Sequence, residues 1–152
     1  MIDKKVIIKC LDEHGFNPEP MDAEDAEWLV RGAIRGMPFI VVKPDTKEFV
    51  ILQRVLNIAE DELKYQRDTE EQQRKRFINR LKHDLLLSGA RYQMEFEDED
   101  DTVLEKITLT TVLYEDGFAK DLFMEKLFSL HDASLLISVN LQENRFEQNA
   151  HP

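Results

Sequence analysis

The chain has 152 residues, 42% of them hydrophobic and 34% charged, and 31 Asp and Glu outweigh 20 Lys and Arg for a formal net charge of −11. Length and composition suit one soluble globular domain over 1–152, with an ordered core at about 3–145 and a frayed tail at 147–152. The acidic balance (sequence pI near 4.8, mean hydropathy −0.46) disfavours nucleic-acid and anionic-membrane partners, and the chain never strings together the roughly 18 apolar residues of a membrane helix.

The first stretch, MIDKKVIIKCLDEHG, has too short an apolar run for a signal peptide, so a cytoplasmic home is expected. Asp3 to His14 reads as a helix. Asp3 can cap it, Val6, Ile7, Cys10 and Leu11 form its apolar stripe, and Gly15 stops it. Cys10 is the single cysteine, which forbids an internal disulfide, and it reads as a small buried hydrophobe. NPEPMDAED follows as a turn-rich connection.

From Ala26 the period changes to two, with Trp28, Val30 and Ile34 on one face. Gly32 marks either a bulge or the close approach of another backbone. Gly36-Met37-Pro38 turns the chain, and Phe39–Lys43 and Glu48–Arg54 read as two more strands. Their connections are too short for parallel crossovers, so the three form an antiparallel meander.

Asn57 to Gln66 reads as a short helix with Asn57 as a possible cap. Thr69 to Gly89 reads as the central helix. Thr69 and Gln72 have capping-box spacing, Phe77, Ile78, Leu81 and Leu85 form its apolar face, and Gly89 can take the left-handed end. Arg91–Glu97 and Leu104–Tyr114 alternate as two strands. From Phe118 the pattern turns helical, with a break near His131-Asp132 or a strand at 135–141 as alternatives. The expected architecture is α+β: a three-strand meander plus a hairpin, about five antiparallel strands packed by helices in the order αβββα(α)ββα.

Few residues point to chemistry. The run around Glu97, Asp98, Asp100 and Asp101 offers weak candidates for a hard cation. An EF-hand starting at Asp98 fails, because Val103 stands where glycine is needed and Leu109 where the bidentate glutamate belongs. A solvated hairpin tip is the competing reading, and no metal is assigned. The four histidines are scattered without metal-ligand spacing, and no phosphate-cradling loop or nucleophile motif appears. No catalytic residue or cofactor is therefore assigned. Arg74, Lys75, Arg76 and Arg80 read as a solvated helix face rather than a nucleic-acid patch. What stands out is apolar excess. Phe118, Leu122, Phe123, Met124, Leu127, Phe128 and Leu130 cover more than one core-facing stripe, so this helix is either deeply enclosed or carries an interface. Trp28, Leu122, Phe123, Leu127 and Leu130 are the candidate partner contacts, and a homodimer is expected.

The element order, the acidic balance and two stretches, WLVRGAIRGMPFIVVKPDTKEFVILQRV and LEKITLTTVLYEDGFAKDLFMEKLF, resemble the small acidic chaperones of type III secretion. They are also similar to an uncharacterised family of small acidic proteins in archaea and bacteria. The resemblance spans about 3–145. It implies an α+β fold, frequent dimers and surfaces that hold an extended client. The expected function is a non-enzymatic protein- or peptide-binding module of unknown client, with a ligand-binding protein or enzyme carrying an acidic site as the alternative.

Overall fold

The computed structural model describes residues 2–150. It is α+β, with the elements α1 (Lys4–Glu13), β1 (Glu19–Met21), β2 (Ala26–Ile34), β3 (Met37–Pro44), β4 (Phe49–Asn57), α2 (Glu60–Asp68), α3 (Glu71–Ser88), β5 (Arg91–Phe96), β6 (Leu104–Tyr114) and α4 (Lys120–Ala150). The six strands pair in the order β1-β2-β3-β4-β6-β5. The expected meander and hairpin are both there. The sixth strand, β1, lies inside the segment read as a turn; three residues with Pro20 in the middle give no alternation to detect. The chain divides into two compact units.

Of the described residues, the first unit comprises 2–54 and 110–131. The Asp3 carboxylate accepts the Lys5 N–H at 2.9 Å and opens α1. At the other end Gly15 takes φ +72°, and the Phe16 N–H reaches the Leu11 carbonyl at 3.0 Å. Phe16 then packs edge-on against Phe39 and Phe128. β2 and β3 are joined through Arg35 and Gly36, both at positive φ, as a two-residue hairpin demands. Val30, Ile34, Phe39, Val41, Val50, Leu52 and Leu113 make the buried face of the strands, and Ile7, Leu11, Phe123, Leu127 and Leu130 come from the helices.

Gly32 stands opposite Phe39, and the register slip of β2 lies between Ala26 and Trp28 instead. Of the two readings of Gly32, close approach therefore holds, although what approaches is a ring and not a backbone. A Cβ at Gly32 would sit 2.6 Å from Phe39 Cζ. The ring is buried and cannot swing away freely. Gly32→Ala is expected to destabilise the chain by about 1–3 kcal/mol, the cost of overpacking a core. In urea melts, adding Phe39→Leu to Gly32→Ala should restore part of that loss, because the clash needs the ring tip.

Of the described residues, the second unit comprises 55–109 and 132–150. Its core is Leu63, Phe77, Ile78, Leu81, Leu85, Leu104, Ile107, Leu109 and Ile137. Gly89 ends α3 at φ +77°, as read from the sequence. The start of α3 differs from the capping-box reading. Glu70 is the N-cap without a side-chain bond, and the Thr69 hydroxyl donates to the Tyr65 carbonyl at 2.9 Å, closing α2. Asn57 likewise ends β4 rather than capping a helix, because the Ile58 N–H bonds to the Glu105 carbonyl at 3.0 Å and holds the strand extended. Gln66 on α2 turns its amide onto Leu104: its nitrogen donates to the Leu104 carbonyl at 2.9 Å, and its oxygen accepts the Leu104 N–H at 2.7 Å.

Helix α4 continues through His131-Asp132 without a break, so 135–141 is helix and not strand. The tail expected at 147–152 lies where side chains, and at 151–152 the backbone as well, are outside the described residues. No helix among the described residues is long and apolar enough to cross a membrane.

Candidate binding cleft

The second unit carries a cleft of about 340 Å³. One wall is the end of β4 and the entry to α2, from Leu56 to Ala59 and then Asp61 and Glu62. The other wall is one face of α4: Ile137, Ser138, Leu141 and Gln142. Leu56, Ile58, Ala59, Ile137 and Leu141 supply aliphatic carbon, while Asp61 and Glu62 add two carboxylates to the lining.

The acidic part of the lining follows from helix physics. Glu60, Asp61 and Glu62 fill the first turn of α2, where the exposed N–H groups and the dipole favour negative charge. Arg67 takes Glu60 at 3.0 Å and Glu97 at 2.9 Å. Arg145 takes Glu62 at 2.7 Å, lies 3.9 Å from Asp61, and covers the Tyr65 ring at 5.1 Å. Glu62 is mostly enclosed, and its Oε1 has no hydrogen-bond partner. Burial raises the Glu62 carboxyl above its ordinary value; Arg145 opposes this and Asp61 adds to it.

Glu62 therefore binds its proton more tightly in the folded chain than in the unfolded one. Its contribution to stability is complete below the ordinary glutamate value of 4.5 and is lost as pH rises through the higher folded value. Glu62→Gln should flatten the pH dependence of urea midpoints just above pH 4.5, and an unchanged slope there would contradict the assignment.

The acidic run has a structural task. The Asp98 carboxylate accepts the Thr102 hydroxyl at 2.5 Å, the Thr102 N–H at 2.9 Å and the Val103 N–H at 2.7 Å, closing the β5–β6 loop. Burial works against its charge, but these hydrogen bonds outweigh burial and lower its pKa. Glu97 is held by Arg67, while Asp100 and Asp101 are exposed. Among the described residues no three His, Cys, Asp or Glu side chains gather as a metal site.

Of the partner-contact candidates, Phe123, Leu127 and Leu130 are buried in the first unit, and Trp28 and Leu122 are half-buried. Large apolar side chains open to water lie at other positions, among them Leu86 and Leu87 at 69% and 76% exposed, and Leu135 and Val139 at 41% and 47%. The basic stretch is partly consumed internally. Arg74 donates to Thr102 Oγ1 at 3.1 Å, and Lys75 pairs with Glu71 at 3.2 Å. The Cys10 thiol is buried, and burial, aided by Glu13, raises its pKa. His14 bonds the Cys10 carbonyl at 2.8 Å, His83 sits 3.7 Å from Asp84, and His151 lies outside the described residues.

In the first unit, Arg54 and His131 form a buried polar centre. Arg54 donates to the Pro38 carbonyl at 3.1 Å and the Met37 carbonyl at 2.8 Å, and meets His131 Nδ1 at 2.8 Å. Sequence reasoning missed both this pair and the cleft. The run Ile58-Ala59-Glu60-Asp61-Glu62, an apolar pair followed by three carboxylates, is the signal that could have found the latter.

A family model described as an uncharacterized conserved protein (DUF2299) matches residues 3–141, and the chain belongs to that family. No curated protein matches it. The crystal structure of an uncharacterized protein from Methanothermobacter thermautotrophicus has a TM-score of 0.86 at 20% identity, covering 93% of this chain and 98% of that one, and shares the fold. The crystal structure of YbjN from E. coli is 13% identical, covers 97% of this chain and 94% of that one, and has a TM-score of 0.46.

Proposed function

We propose that this member of the DUF2299 family is a cytoplasmic protein- or peptide-binding module, chaperone-like in that it holds a segment of another chain. The observation that carries the reading is the make-up of the cleft: an aliphatic trough between Leu56–Ala59 and α4, with the Asp61 and Glu62 carboxylates in its lining. Such a surface suits apolar side chains of an extended or helical segment, oriented by a polar group. Affinity purification of the tagged protein from its own cells, with mass spectrometry and hydrogen-exchange footprinting, tests it. A stoichiometric protein that protects Ile58 and Leu141 supports the module; recovery of the bait alone counts against it.

A homodimer belongs to the same proposal. Leu135 and Val139 stand four residues apart on α4, both exposed, and a second copy would cover them. Light scattering at micromolar concentration should give the dimer mass, and Leu135→Glu with Val139→Glu should halve it. A monomer mass for the unaltered chain would end this part of the proposal. The second reading, a small-ligand protein or enzyme, draws on Glu62, whose raised carboxyl with an unpartnered Oε1 is the kind of group acid–base sites employ. Small-molecule screens that saturate the cleft would favour it.

A further inference from the structure

The two carboxylates that line the cleft, Asp61 and Glu62, already hold one cation, and its contacts show which chemistry they recognise. The Arg145 guanidinium meets the Glu62 carboxylate, the Asp61 carbonyl at 3.3 Å and the face of Tyr65. A charged pair, a backbone acceptor and an aromatic face are the contacts that recognise a guanidinium or ammonium group. The corner is not neutralised by it. Asp61 and Glu62 bring two negative charges and Arg145 brings one positive charge, while Glu60 is matched to Arg67. The surplus sits on Asp61, whose side chain is 78% exposed and whose carboxylate comes no nearer to Arg145 than 3.9 Å. Asp61 is thus an exposed carboxylate in the lining of an aliphatic trough, with capacity for a second cation. The trough has about 340 Å³, near the lower end of the roughly 300–1,000 Å³ usual for ligand sites. That volume suits a few side chains rather than a large cofactor. The net charge of −11 attracts basic segments from a distance and repels acidic ones.

We propose that the cleft docks a peptide segment of a partner protein that combines aliphatic side chains with one lysine or arginine, the aliphatic groups lying between Ile58 and Leu141 and the cation on Asp61. The proposal rests on the binding-module reading and names the kind of segment that module takes. Arg145 stays in place on Glu62, so the incoming cation adds to the corner and does not have to displace it.

The test uses the full chain and three fluorescein-labelled hexapeptides, each with five leucines and one variable residue: lysine, glutamate or norleucine. Fluorescence anisotropy should rank lysine first, norleucine second and glutamate last. The lysine peptide should lose about threefold in affinity between low and physiological salt, as an exposed ion pair does. Asp61→Lys changes an exposed side chain, so the fold should survive, and it should invert the lysine–glutamate order. Ser138→Trp fills the trough and should weaken all three peptides at least tenfold. Methyl resonances of Ile58, Ile137 and Leu141 should shift with the lysine peptide. Equal affinity for the lysine and glutamate peptides overturns the proposal, as does an order that Asp61→Lys leaves unchanged. Butylamine binding as tightly as the lysine peptide also overturns it, by assigning the corner to small amines. A captured partner whose footprint lies away from the cleft overturns this site while leaving the binding module standing.

Discussion

Gln66→Leu is expected to lower stability by about 2–6 kcal/mol, since two buried polar groups each lose a partner at roughly 1–3 kcal/mol. The Gln66 amide offers Leu104 a donor and an acceptor in the arrangement a neighbouring strand would use, at 2.9 and 2.7 Å, and it is buried. Leucine matches its bulk but offers neither group, so the Leu104 N–H and carbonyl would remain enclosed and unpaired. For a chain of this length the melting temperature should fall by about 2–4 °C per kcal/mol. Gln66→Glu separates hydrogen bonding from packing. Its ionised carboxylate keeps the acceptor, loses the donor and places a charge in the interior. Protonated, it regains both roles, so its deficit relative to the unaltered chain should shrink as pH falls. Urea unfolding across pH reads both effects. A Gln66→Leu midpoint within about 1 kcal/mol of the unaltered chain would show that Leu104 finds other partners.

Arg54→Leu should cost a comparable amount, about 3–5 kcal/mol, by the same logic on a charged group. A buried charged side chain is often replaceable by an apolar one at little cost, but only if its partners go with it. Here two of them cannot: the Met37 and Pro38 carbonyls belong to the backbone where β3 begins. Burial lowers the Arg54 pKa, because the guanidinium gives up hydration in the interior. Arg54→Lys should recover less than half of the loss. A single ammonium cannot span both carbonyls and His131 as the planar fork does. A double-mutant cycle of Arg54→Leu with His131→Leu should give a coupling of about 1–3 kcal/mol, and additivity of the two would contradict direct contact.

The fold was legible wherever one residue type does one job. Asp3 and Gly89 cap helices as read, because an N-terminal carboxylate and a left-handed glycine have few alternative uses. The strand at Leu104–Tyr114 follows from the two-residue period of Ile107, Leu109 and Leu113 among mostly polar neighbours. The reading failed where a residue had two local options. Thr69 could cap the helix after it or close the one before it, and it closes the one before. Asn57 could cap or extend, and the bond from Ile58 to Glu105 selects extension. The cleft was not legible because its walls, Ile58–Glu62 and Ile137–Gln142, are about 75 positions apart and each looks like ordinary helix or strand surface. The Arg54–His131 pair stayed hidden for the same reason, since polar residues inside apolar runs read as solvent-facing until a partner far along the chain is known.

The short strand β1 has a consequence for how this protein behaves at high concentration. A sheet margin with free N–H and C=O groups invites strands of other molecules, and lateral growth of that kind ends in fibres. β1 is three residues long, all exposed, and Pro20 at its centre has no N–H to offer. Placed against Val30, it borders β2 with a strand too short and too poor in donors to seed further addition. Replacing Pro20 with a β-branched residue would restore the missing donor and should turn this margin into a nucleus for fibrillation, visible as thioflavin-T fluorescence on prolonged incubation.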